Sequence, residues 1–133
     1  KQQLINYTIS NGLIRNVVFP GWLNWQEAVP YYAAADLFVM PSVAEPFGLV
    51  ALEAALLDTP VIMSKTCGAS DVFKHCLRTD FWDVELLASH IISVLKHPSL
   101  SSELKANGKR NVKEITWAKA AEKVELIYEE LIS

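Results

Sequence analysis

Two glutamates, Glu45 and Glu53, stand on either side of Pro46, Phe47 and Gly48, with seven residues between them. An ionised carboxylate accepts strong hydrogen bonds, so a pair held at a fixed separation can grip a ligand rich in hydroxyls. The apolar run Leu37-Phe38-Val39-Met40 stops at Pro41 and passes through a polar turn into a helix-forming run from Leu49 to Leu57. That order predicts a strand, a loop and a helix. In a parallel α/β sheet such a loop lies at the carboxyl edge of the strands, where ligands bind. The amides of Phe47, Gly48 and Leu49 would then stand at a helix N-terminus, a place that attracts phosphate and other anions. Gly48 would leave the backbone open to close approach.

Each of these residues also has a plain structural use. Glu45 can complement the dipole of the helix that begins near Phe47, and Glu53 can be a solvated helix position. The segment Lys65-Thr66-Cys67-Gly68-Ala69-Ser70-Asp71 follows another apolar run, so Thr66, Cys67 and Gly68 are a second candidate ligand loop. It serves equally as a loop-to-helix connection with Ser70 or Asp71 as the cap. Trp22 and Trp25 could stack on a base or pack under the helix that follows them. His75, His90 and His97 have no ligand-like spacing, and no histidine lies beside Cys67 in sequence to activate it as a nucleophile.

The elements that must position these groups follow from pattern. Asn16 to Pro20 reads as a first strand, ended by Pro20-Gly21. Asn24-Trp25-Gln26-Glu27 has the form of a capping box opening a helix, with Pro30 in or near its first turn. Leu37 to Met40 and Val61 to Met63 are short, continuous apolar runs, as expected of strands covered on both faces. A short helix is expected around Val72 to His75, and Leu77 to Phe81 as an edge strand. Three helices close the chain. Asp83 caps the first, with Val84, Leu87, Ile91, Val94 and Leu95 inward. Pro98 precedes the second, with Leu100, Leu104, Val112 and Ile115 inward and Gly108 between them. Thr116 caps the third, where Trp117, Ala121, Val124, Tyr128 and Leu131 form an apolar stripe. Before all of these, a helix ends at Asn11-Gly12. Alternating strands and helices imply an α/β fold with parallel pairing and right-handed crossovers.

Bulk properties limit the function classes. The chain has 133 residues, 51% of them hydrophobic and 20% charged, with a net charge of −3. One domain or part of one fits that length. The apolar balance suits a sheet buried on both faces, or a piece that packs against further protein. Twelve scattered Lys and Arg give no nucleic-acid footprint. Glu53 and Asp58 interrupt the longest apolar runs, so no membrane span is expected. Cys67 and Cys76 form no metal-site pattern, and two free thiols suit a reducing, cytoplasmic compartment.

The Glu45 to Glu53 segment, with its Glu-Pro-Phe-Gly core, resembles the paired-glutamate motif of retaining glycosyltransferases of the two-domain GT-B type (glycosyl transferases group 1, the family 4 class). Ala33-Ala34-Ala35-Asp36, Asp58-Thr59-Pro60-Val61-Ile62 and Thr116-Trp117 fall in the order and spacing of that family's C-terminal, donor-binding domain. The resemblance spans nearly the whole chain. It implies a Rossmann-like parallel sheet flanked by helices, forming the C-terminal half of a GT-B fold. It also implies a role in carbohydrate biosynthesis, with a nucleotide diphosphate sugar as donor substrate and no metal or other cofactor. Glu45 would contact the donor sugar at the catalytic position, Pro46 to Leu49 would line the sugar and phosphate, and Glu53 would bind the ribose.

The sequence departs from the family in three places. No segment matches the strand and helix whose Arg and Lys neutralise the diphosphate. Cys76-Leu77-Arg78-Thr79-Asp80-Phe81 replaces a glycine-led strand, and Asp58 stands where a helix-ending glycine is usual, which requires a left-handed Asp58. Residues 1–133 are therefore expected to be a single, partial, N-terminally truncated nucleotide-sugar-binding domain. The acceptor domain would be its natural partner, and any membrane contact would come through the parent protein alone. Isolated, the piece is expected to be inactive. A different class remains beside this one: a non-catalytic interaction module derived from the same fold.

Overall fold

The structure, a computed structural model, describes residues 2–132. Helix α1 (Gln2–Ser10) ends where the sequence predicts, with Gly12 at φ +69°. There the Leu13 amide donates to Thr8 O and the Gly12 amide to Ile9 O, the paired bonds of a Schellman ending. Helix α2 (Trp25–Ala34) opens on a complete capping box: Glu27 N donates to Asn24 Oδ1, and Asn24 N donates to a Glu27 carboxylate oxygen. Pro30 sits inside α2, in its second turn and so near the first, as expected.

Strand β1 (Phe38–Met40), helix α3 (Leu49–Leu56) and strand β2 (Val61–Ser64) form a parallel unit, with Phe38 opposite Val61 and Met40 opposite Met63. Strand β3 (Leu77–Thr79) pairs parallel to the other side of β2, giving the order β1-β2-β3. β2 is buried along its whole length. Val61 and Met63 join a core of Met40, Leu52, Ala55, Phe73 and Val112, against which Tyr32, Phe38 and Ile115 pack. Ile62 alternates to the opposite face and is equally buried, and helix α4 (Val84–Lys96) touches both β2 and β3. The two-sided burial expected from the continuous apolar runs is therefore present at the central strand.

Four expectations need correction. Asn16 to Pro20 is not a strand among the described residues. The Asn16 amide donates back to Leu13 O at 2.8 Å, and no strand lies alongside to complete a ladder. No helix forms at Val72 to His75; the helical turn comes earlier, a 3-10 turn at Gly68–Asp71. The next backbone groups are taken by side chains instead. Lys74 N donates to Asn111 Oδ1 at 2.7 Å, and Phe73 O accepts from the Arg78 guanidinium at 3.1 Å. On α4, Asp83 caps as expected through Leu86 N, but Val84 and Leu95 are exposed and only Val94 is fully buried. Helix α5 (Pro98–Glu114) starts at proline and passes close to Phe73 and His75 at Gly108. Helix α6 (Trp117–Ile132) is capped by Thr116, yet none of its residues is buried, so its apolar stripe faces outward.

The Asp58 expectation is met. Thr59 N donates to Ala54 O and Asp58 N to Ala55 O, with Asp58 at φ +62°. Asp58 thus ends α3 in the left-handed conformation usually given to glycine.

Candidate functional site

The carboxyl edge of β1 and β2 carries two loops, and backbone bonds lace them together. Glu45 pairs with Cys67 in an isolated parallel bridge beyond the strands. Gly68 N donates to Glu45 O at 3.0 Å and Ala69 N to Phe47 O at 2.7 Å. Closer to the strands, the Ser64 hydroxyl donates to Ser42 O at 2.6 Å and the Thr66 hydroxyl to the same oxygen at 3.0 Å. The fold therefore brings the Glu45–Leu49 segment and the Thr66–Gly68 segment side by side.

Two glycines make this approach possible. Gly48 is buried at φ +96°, and a Cβ there would meet Cys67 Sγ at 2.6 Å and Met40 Cε at 2.8 Å. A Cβ on Gly68 would run into the carbonyl of Pro46. One glycine thus admits the second loop's side chain, and the other admits the first loop's backbone.

Gly48 is the N-cap of α3 and supplies no side-chain cap. The first amides of the helix lack intrahelical acceptors, which leaves a partial positive charge at this end. The Phe47 amide stands apart from them because it points at its own loop's Glu45 Oε1, at 3.4 Å. The amides at the helix start are therefore those of Gly48, Leu49 and Val50 rather than Phe47 to Leu49. Pro46, Phe47 and Leu49 are exposed around this opening, and Glu45 is half-buried.

Glu53 lies one turn further along α3, on the same face as Leu49. Burial pushes its carboxyl above the ordinary carboxylate range. Tyr32 of α2 is close enough that, after burial, the Glu53 charge is the second cause raising the phenol above its usual value. Tyr32 also packs edge-on against Phe38, with ring centroids 5.6 Å apart. Two half-buried carboxylates and an open helix N-terminus can bind hydroxyls and an anion together. Among the described residues no cluster of His, Cys, Asp or Glu could hold a metal ion.

The second candidate loop divides by residue. Thr66 is exposed at the surface of the site, and Gly68 is a backbone contact. Cys67 is only 1% exposed, and its thiol donates to Phe47 O at 2.9 Å. Its side chain faces the first loop rather than solvent. Sequence reasoning missed Ser42, Ser64 and Tyr32, since nothing local marks a carbonyl that collects hydroxyls from another loop. The tryptophans do not pack as expected: Trp22 is 86% exposed, and Trp25 touches Tyr32 at 6.3 Å while remaining half open. An open apolar cavity of about 460 Å³, lined by Leu4, Val18, Phe19, Pro20, Gly21 and Trp22, has no lining residue from either loop.

Residues 1–111 match the family described as glycosyl transferases group 1. The mannosylfructose-phosphate synthase of Agrobacterium fabrum is 32% identical over 126 residues, covering 92% of this chain and 28% of that protein. Among solved structures, sucrose-phosphate synthase from Thermosynechococcus elongatus superposes with a TM-score of 0.81 at 30% identity, over 98% of this chain and 34% of that one. Anabaena Alr3699/HepE in complex with UDP-glucose gives a TM-score of 0.77 at 25% identity, over 85% and 32% of the two chains. The chain spans less than a third of the length of these curated relatives.

Proposed function

We propose, from the premise that this chain belongs to the glycosyl transferases group 1 family, that the two laced loops bind the donor of a sugar transfer. The donor is a nucleotide diphosphate sugar. The observation that carries this reading is the pair of laced loops that sets Glu45 beside the α3 N-terminus, with Glu53 one turn further along that helix. The Anabaena neighbour, captured with UDP-glucose in the same fold, supports the ligand class.

In this reading the amides of Gly48, Leu49 and Val50 face the diphosphate, where negative charge grows as the glycosidic bond breaks. Donors fixed before reaction stabilise that charge without reorganising. Glu45 accepts from hydroxyls of the donor sugar, and Glu53 accepts from the ribose. Transfer to the acceptor proceeds with retention of configuration, as the paired-glutamate resemblance implies. Product NMR showing the opposite anomer would reject that step. Two free, buried cysteines fit a reducing cytoplasmic setting.

No arginine and lysine pair like the family's diphosphate clamp occurs in these residues, so the chain alone binds donor weakly and transfers no sugar. Sugar transfer by the 133-residue chain without an added protein would overturn that part. The reading itself is tested by amide NMR of the chain titrated with UDP-, GDP- and ADP-sugars. Shifts confined to the Glu45 to Glu53 segment, and lost in Glu53→Ala, are expected. Shifts elsewhere only, or on addition of a protein partner but of no nucleotide sugar at millimolar concentration, would favour the interaction module instead.

A further inference from the structure

Cys67 has a place in the site that neither family membership nor the donor reading assigns. Its sulfur is buried against Gly48, and its thiol donates to Phe47 O at 2.9 Å. The same carbonyl accepts the Ala69 amide at 2.7 Å, so both its lone-pair positions are taken by the second loop. On the backbone side, Cys67 bridges Glu45, and the neighbouring Gly68 amide holds Glu45 O. One residue therefore contacts the first loop at Glu45, Phe47 and Gly48. Those three residues set where the first carboxylate lies and how the first turn of α3 is presented.

We propose that the Cys67 thiol is a positioning residue for the donor site: it fixes the Phe47 carbonyl and the Gly48 turn, and through them aims Glu45 and the α3 amides. This assignment rests on the donor reading for its functional half, while the clamp itself is a property of the chain without ligand. The space is matched to sulfur. Gly48 has no side chain at this contact, and the second loop fills the gap with a group that both packs and donates. Alanine at position 67 would remove the donor and leave a void beside Gly48. Serine would keep a donor on a shorter bond.

The test compares Cys67→Ala, Cys67→Ser and Cys76→Ala with the parent chain. Cys76 is the other buried thiol and bonds to Phe73 O at 3.4 Å, so its loss is a control for simple destabilisation. The clamp is read first without ligand, by infrared S–H stretching and by hydrogen exchange at the Gly68 and Ala69 amides. The expected result is a red-shifted S–H band that Cys67→Ala removes. The two amides should exchange several-fold faster in Cys67→Ala, recover in Cys67→Ser and remain unchanged in Cys76→Ala. Unchanged exchange in Cys67→Ala would overturn the clamp whatever the chain binds. Donor affinity is read second, by titration with the nucleotide sugar that shifts the parent chain. A roughly threefold to tenfold loss in Cys67→Ala, relieved in Cys67→Ser, is the size expected of one hydrogen bond. A parent chain that binds no nucleotide sugar would reject the donor reading and the positioning role with it. Equal affinity in the parent and Cys67→Ala would reject the positioning role alone.

Discussion

The amide of Gly68 donates to the carbonyl of Glu45 at 3.0 Å, where a Cβ on Gly68 would strike Pro46. The bond is possible because the two loops meet backbone to backbone. It ties the loop after β2 to the loop holding the first carboxylate, just beyond the strands. The site is thereby stiffened where two crossovers leave the sheet, and its geometry depends on small residues as much as on charged ones.

Gly48→Ala should cost about 2 to 4 kcal/mol of stability, combining left-handed strain with overpacking. At φ +96° an alanine is strained, and its Cβ would lie 2.6 Å from Cys67 Sγ and 2.8 Å from Met40 Cε. Met40 is a flexible side chain that can give way, whereas Cys67 is held by its bond to Phe47. Urea unfolding measures the loss. A change below about 0.5 kcal/mol, the size of an ordinary surface substitution, would mean the two loops are not locked together.

The separation of what was legible in the sequence from what was not follows the same physics. The Asn24 capping box, the Asp83 cap, the proline at the start of α5 and the left-handed Asp58 all rest on contacts within a few residues, and pattern reading locates them. Asn16 to Pro20 has the composition of a strand, but a strand exists only when a neighbour completes its ladder, and composition does not report neighbours. The helical turn falls at Gly68–Asp71 rather than at Val72 to His75, where Asn111, far along the chain, takes the Lys74 amide. Within the site, Glu45, Gly48 and Glu53 were visible as a local motif. The hold of Cys67 on Phe47 spans twenty residues and left no local trace.

Glu53→Gln should separate stability from binding. Burial raises the Glu53 carboxyl above its ordinary value, so the folded chain favours the neutral form more than the unfolded chain does. Stability linked to this group is full below the ordinary carboxylate value and is lost as pH rises through the raised one. At neutral pH the charged side chain is therefore a small cost, which glutamine removes. The variant should be at least as stable as the parent at pH 7, with the advantage fading in acid, while nucleotide-sugar shifts are lost. The Tyr32 phenol, raised by burial and then by the Glu53 charge, should titrate at lower pH in the variant. An unmoved phenol together with lower stability at neutral pH would show that Glu53 is a structural partner.

Asp58→Gly sets a backbone gain against a side-chain loss, and salt tells them apart. Glycine relieves the left-handed φ of +62°, a net gain of up to about 1 kcal/mol once its greater unfolded-chain entropy is set against the strain removed. It also removes the exposed ion pair with Lys109, worth about 0 to 1 kcal/mol and screened by salt. At low ionic strength the two should nearly cancel. At high ionic strength the glycine variant should be the more stable, because screening weakens the parent's ion pair and leaves its φ unchanged. A glycine variant less stable at both salt concentrations would show that Asp58 contributes more than a surface ion pair.

Removing α6 after Ile115 should change the unfolding free energy of the remaining chain by less than about 0.5 kcal/mol, as expected for groups that bury nothing. The stripe Trp117, Ala121, Val124, Tyr128 and Leu131 has the pattern of a core-facing helix, yet Trp117 is 92% exposed and no residue of α6 is buried. A stripe with no surface against it contributes nothing to the sheet's stability and leaves apolar area in water, which favours association between molecules. The shortened chain should therefore unfold in urea at nearly the same midpoint and scatter less light at high concentration. A loss of 2 kcal/mol or more would place the stripe against the α/β core, since burying even one such side chain is worth about that much. An unchanged midpoint with unchanged scattering would show that the stripe is not what drives association, and would direct attention to Val18 and Trp22, exposed at the other end of the chain.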